Sequence, residues 1–169
     1  VHPKTIETLA NLSSVKVQLL KYDEAEMICK EAYRLNKIAY GEKHSITIES
    51  LSNLMKVYHV QYKFQEAEVE MNKLYQLKKE TLGEIHLETL TTMAHLASVN
   101  LKLGRFAESE RLNSECYELF RIKHGDTHPD TLQMMNNLAN VYTEEGKYEE
   151  SEKLTKKCYQ LLVEVLGEN

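Results

Sequence analysis

His2, His44, His86 and His128 stand 42 residues apart, and the 169-residue chain is four such intervals with one residue over. Laid over itself at that interval, the sequence aligns without a gap. Leu12, Leu54, Leu96 and Leu138 share a position, as do Val15, Val57, Val99 and Val141, and Tyr33, Tyr75, Tyr117 and Tyr159. Leu35, Leu77, Leu119 and Leu161 follow, with Gly41, Gly83, Gly125 and Gly167 at each unit's end and Thr5, Thr47, Thr89 and Thr131 near its start. A fixed period of this length marks a repeat architecture: one unit cannot bury its apolar side alone, so neighbours must stack. The expectation is a single array over residues 1–169, with repeats at about 2–43, 44–85, 86–127 and 128–169.

Within a unit the apolar spacing is helical. In the fourth, Leu132, Met135, Leu138, Val141 and Tyr142 recur at three- and four-residue steps, which predicts an amphipathic helix. It should begin near Pro129, whose missing N–H suits a first turn, and end near Gly146. A second helix is expected from about Tyr148 to about Leu166, closed by Gly167 in the left-handed conformation. With 6 Gly and 2 Pro in the chain, little room is left for a turn-rich β fold. Eight helices in four antiparallel pairs follow. No apolar run approaches the roughly 18 residues of a membrane span and no signal-peptide pattern opens the chain, so no membrane partner and a cytoplasmic setting are expected. A formal charge of -5 argues against nucleic acid as the partner.

The fourth unit carries Leu138-Ala139, Tyr142, Gly146, Tyr148, Ser151 and Cys158, and these resemble the tetratricopeptide pattern of alternating large and small packing positions. The junction, Leu166-Gly167-Glu168 at one end and His128-Pro129-Asp130-Thr131-Leu132 at the other, is similar to that of the kinesin light chain subfamily. The small position of Ala139 and Ala97 is Met55 and Ser13 in the earlier units, and the turn glycine of Gly104 and Gly146 is Leu20 and Tyr62. The resemblance implies an all-α fold, a right-handed α-α superhelix of four helix-turn-helix repeats. It also implies a protein-interaction scaffold that binds a peptide in the groove lined by the first helix of each repeat.

No catalytic residue, metal ligand or cofactor is expected. The four periodic histidines sit one per inter-repeat turn and cannot converge on one ion, whose ligands lie about 2 Å away. Cys116 and Cys158 occupy the same position in successive units, as small buried hydrophobes do, and a reactive thiol needs an exposed site with an activating base. Two glutamates recur in every unit, Glu24, Glu66, Glu108 and Glu150 with Glu26, Glu68, Glu110 and Glu152. They begin each second helix, where the macrodipole favours acids by about 0.3–1 kcal/mol. The tyrosine at Tyr33 and its equivalents is expected to pack between repeats with its hydroxyl hydrogen-bonded.

If Leu12 and its equivalents mark the packed face of the first helices, the opposite stripe follows at about 100° per residue. It is mostly amide and hydroxyl. Its peptide-binding candidates are Asn11 and Ser14, Asn53 and Lys56, His95 and Ser98, and Asn137, Asn140 and Thr143. Amides can pair with the backbone of an extended peptide whatever its side chains, which makes a protein or peptide ligand the expected partner. Chaperone-binding tetratricopeptide domains use a Lys/Arg and Asn clamp, and the matching positions Ala10, Ser14, Asn53, Thr91 and His95 lack its basic members. Two alternatives remain: self-association through uncapped terminal repeats, and service as the sensor arm of a larger nucleotide-binding switch protein.

Overall fold

The computed structural model describes the backbone of residues 3–167 and the side chains of residues 8–164; His2, Thr5, Leu166 and Glu168 of the readings above lie wholly or in their side chains outside these. The elements among the described residues are α1 (Pro3–Gln18), α2 (Tyr22–Tyr40), α3 (Ser45–Val60), α4 (Phe64–Leu82), α5 (Leu87–Lys102), α6 (Phe106–His124), α7 (Pro129–Glu145) and α8 (Tyr148–Leu166). The fold is an all-α helical repeat. None of these helices is long and apolar enough to cross a membrane.

The periodic histidines have a local job. His44, His86 and His128 are the N-cap residues of α3, α5 and α7, each in extended backbone. Their Nδ1 atoms accept from the amides of Ile46, Glu88 and Asp130 at 3.3, 3.2 and 3.2 Å, satisfying a donor that the first turn would otherwise leave unpaired. Pro129 then opens α7 and Gly146 closes it in the left-handed conformation (φ 84°, ψ 10°), as the spacing predicts.

Gly167 departs from expectation. Its φ of 74° is positive but its ψ is 152°, and Gly41 (86°, 166°) and Gly125 (90°, 170°) match it. This region is open essentially to glycine alone. In Gly41 and Gly125 it lets the chain leave a second helix extended and run on to the histidine cap, which a left-handed residue would turn away from.

The turns inside the helix pairs keep one geometry despite their sequences. The left-handed residue is Leu20 (φ 58°), Tyr62 (φ 58°), Gly104 (φ 71°) and Gly146 (φ 84°) in turn. The next amide always reaches back to the same carbonyl, from Lys21, Lys63, Arg105 and Lys147 to Lys16, Tyr58, Asn100 and Tyr142 at 2.8–3.0 Å. The repeat therefore imposes the turn on residues that resist it. A left-handed non-glycine costs about 1–2 kcal/mol, and glycine's larger unfolded-state entropy offsets about 0.4–1 kcal/mol of any gain. Leu20→Gly is expected to raise stability by up to about 1 kcal/mol in a urea titration, and a loss would show the turn to be unstrained.

Contacts divide the chain into two compact units, Val1–Thr81 and Leu82–Asn169. In the first, α2 packs on both α1 and α3, and α1 touches α3. In the second, α6 packs on α5 and α7, and α7 on α8. Small residues bring the helices close: Ala25 and Ser109 are fully buried, and the Ser109 and Ser151 hydroxyls donate to the carbonyls of Ala97 and Ala139 at 2.8 and 2.9 Å. Cys158 joins Leu132 and Met135 in a core cluster against which Tyr117, Leu154 and Leu161 pack.

Two packing expectations fail in part. Leu12 and Val15 are exposed although their equivalents Leu54, Val57, Leu138 and Val141 are buried, because α1 packs on α2 and α3 only through its other side. Tyr159 is likewise exposed, whereas Tyr75 is buried. Tyr33 follows the expected pattern, its hydroxyl donating to Glu42 at 3.3 Å and Lys73 lying 5.2 Å over its ring.

Candidate functional site

Each unit holds a cleft of the same construction. In the first unit, α1 supplies Ala10, Asn11 and Ser13 to one wall, α3 supplies Ile46, Glu49, Ser50 and Asn53 to the other, and α2 forms the floor with Cys29, Ala32, Asn36 and Tyr40. In the second, the walls are α5 (Leu87, Thr91, Ala94, His95, Ser98, Leu101) and α7 (Asp130, Gln133, Met134, Asn137, Asn140), over Asn113 and Phe120 of α6. The volumes are about 320 and 360 Å³. The walls stand apart because a second helix lies between two first helices and fills only the bottom of the gap. Asn and Gln on the rims are preorganised: Gln133 donates to Asn137 Oδ1 at 3.0 Å, and Lys56 donates to Asn53 Oδ1 at 2.9 Å.

Each cleft carries a single acid, Glu49 in the first and Asp130 in the second, while other charges join repeats. Glu26 of α2 accepts from Lys63 and Lys30, both at 2.6 Å. Its counterpart Glu110 of α6 accepts from Lys147 at 3.0 Å and from the Tyr142 hydroxyl at 3.2 Å. Glu26 and Glu110 thus clasp the following repeat, a role beyond the helix-dipole reading, whereas Glu152 pairs with Lys156 inside α8. Glu24 does pair locally, with Lys16 and Lys21, and those pairs hold its carboxyl below the usual range. Burial pushes the Cys116 thiol up to about 12, so it is protonated at neutral pH, and its Sγ donates to the Leu90 carbonyl at 3.4 Å. Burial raises the Cys29 thiol too, against a hydrogen bond with Ser13. Among the described residues, no three His, Cys, Asp or Glu side chains gather as a metal ion would require.

A model of the tetratricopeptide repeat matches residues 88–162, and a second matches residues 5–46. This chain belongs to the tetratricopeptide repeat family. Among solved structures the tetratricopeptide chain is similar to BtubC (BKLC) from P. vanneervenii, at 14% identity and a TM-score of 0.83, covering 97% of this chain and 65% of that one. It is also similar to a kinesin light chain protein of Podosopora anserina with nearly identical TPR-like repeats, at 17% identity and a TM-score of 0.58, with 99% of both chains covered. RapI in its apo form aligns at 12% identity and a TM-score of 0.78, covering 98% of this chain and 58% of that one. The chain thus spans less than two thirds of BtubC and of RapI. No curated protein matches its sequence. Tetratricopeptide repeats support the reading of the chain as a protein-interaction scaffold.

Among the residues picked from sequence in this tetratricopeptide chain, Asn11 and Asn53 line the first cleft, and His95, Ser98, Asn137 and Asn140 line the second. Three do not line either. Ser14 is exposed on α1 with its hydroxyl on the Ala10 carbonyl, and Lys56 reaches the rim only through Asn53. Thr143 is turned toward α8, its hydroxyl 2.8 Å from Ser151 Oγ and 3.1 Å from the Ala139 carbonyl. Missing from the sequence reading were Met134 and the floor residues Asn36, Asn113 and Phe120. A signal was present: these floor positions break the period, which the packed leucines Leu54, Leu96 and Leu138 obey.

Proposed function

We propose that each cleft binds an extended peptide segment of a partner protein, with the amides of the first helices pairing with the peptide backbone. The observation that carries this reading is the facing of amide and hydroxyl side chains from two first helices across an open cleft, with Asn53 and Asn137 at the same place in the two units. Such side chains offer a donor and an acceptor to any sequence, while the floor takes side chains. The near-neutral rims distinguish this scaffold from one that grips a carboxylate through lysine and arginine.

Replacing Asn137 and Asn140 together by alanine should weaken binding of a peptide selected on the native chain about tenfold or more, since each amide contributes up to two hydrogen bonds. Both side chains lie at the cleft rim, so stability should change by less than about 1 kcal/mol. Fluorescence anisotropy with the selected peptide measures the first quantity and a thermal melt the second. Unchanged affinity in the double variant would remove the second cleft from the assignment.

A further inference from the structure

We propose that the two clefts select different peptides because their floors carry inverted chemistry, with Asn36 in the first and Asn113 in the second each accepting a hydrogen bond from a peptide side chain. This rests on the peptide-binding reading above and adds the residues that decide which peptide is taken.

Residues 84 apart occupy equivalent places in the two clefts. Rim positions that would read the peptide backbone agree: Ala10 matches Ala94, and Asn53 matches Asn137. The floor positions oppose each other. Cys29 matches Asn113, and Asn36 matches Phe120, so the polar and apolar places trade ends along the floor helix. Wall chemistry inverts as well, Ser50 facing one cleft where Met134 faces the other.

The two floor amides are also incompletely satisfied. Asn113 is 3% exposed and donates through Nδ2 to the Ser109 carbonyl at 3.0 Å, yet no donor of the protein reaches its Oδ1. Asn36 is 1% exposed and its Oδ1 likewise has no donor. A buried acceptor left unpaired opposes folding, and an apolar side chain of similar size would fill either place without that penalty. A hydroxyl or amide side chain entering from the cleft is the chemistry that completes each one. Asn113 and Phe120 lie seven residues apart on α6, about 10.5 Å along its axis. An extended peptide advances about 3.3 Å per residue, so the second cleft takes a donor residue and an apolar residue about three positions apart. In the first cleft the order reverses, with the donor over Asn36 and a small apolar group over Cys29 and Ala32.

The test pans a phage-displayed library of random dodecapeptides on the full chain carrying Asn36→Leu, and separately on the chain carrying Asn113→Leu. Each variant keeps one donor-seeking floor. The pools should show the donor and apolar residues at the same spacing in opposite orders. A peptide from the Asn36→Leu pool should lose about tenfold in affinity when Asn113→Leu is added, while the chain's melting temperature holds or rises. A merely structural amide would lower both. Asn113→Met serves if Asn113→Leu loses its helical circular dichroism. Identical consensus sequences from the two variants, or affinity indifferent to Asn113, would overturn the inversion while leaving peptide binding intact. Failure to enrich any peptide on the native chain would instead remove the peptide reading, and this inference with it.

Discussion

Replacing Leu54 by alanine is expected to cost about 3 kcal/mol, while the same replacement at Leu12 should cost less than about 1 kcal/mol. The two leucines occupy one position of the repeat, on first helices of the same unit. Leu54 is 3% exposed on a helix that also buries Met55, Val57 and Tyr58, so truncation loses its transfer free energy and leaves a cavity that a close-packed interior cannot fill. Leu12 is 41% exposed, and water takes up the space its side chain vacates. Urea unfolding followed by circular dichroism at 222 nm, with both variants at one protein concentration, measures the difference. Equal losses would show that the exposed face of α1 is covered in solution.

That contrast shows what a period can and cannot disclose. Helix limits were legible because they are written in local chemistry, Pro129 in a first turn and Gly146 at a left-handed turn, whereas the histidines were legible as turn residues and not as the caps they are. Burial was legible for Leu54 and Leu138 but not for Leu12, because alignment reports which face packs and not whether a helix covers it. Thr143 fell at the right angle for the cleft, yet a wheel of 100° per residue does not register that Ser151 Oγ lies 2.8 Å away on α8. Leu20 and Tyr62 departed from glycine without altering the turn, because the following amide makes the same backbone hydrogen bond as it does after Gly104 and Gly146. The cleft floors were missed for the opposite reason. Asn36 and Asn113 differ from their equivalents, and a reading that searches for what repeats passes over the places where the two units have diverged. Packing is found by agreement between repeats, and selectivity by its breakdown.

The clasp at Glu26 should make the first unit sensitive to acid. Burial by itself would push this carboxyl up, but hydrogen bonds from Lys30, Lys63 and Gln61 outweigh it and hold the group at about 2, against an ordinary value of 4.5. A carboxylate whose folded pKa lies below its unfolded one binds protons less tightly when folded. Its contribution is therefore complete above about pH 4.5 and is lost as the pH falls toward 2. The full shift would correspond to about 3 kcal/mol, which screening by water around the partly exposed Lys63 reduces to about 1–2 kcal/mol. Glu42, held at about 2 by Lys73 and Lys37, adds to the same window in the native chain and persists in the variant. Glu26→Gln should accordingly destabilise the protein by about 1–2 kcal/mol at pH 7 and by much less at pH 3, and its stability should slope less steeply between those values than that of the native chain. Urea midpoints at half-unit pH steps resolve the slope. If the native and Glu26→Gln curves run parallel from pH 7 to 3, the ion pairs across α2 and the turn before α4 do not hold the repeats together, and the apolar interface alone does.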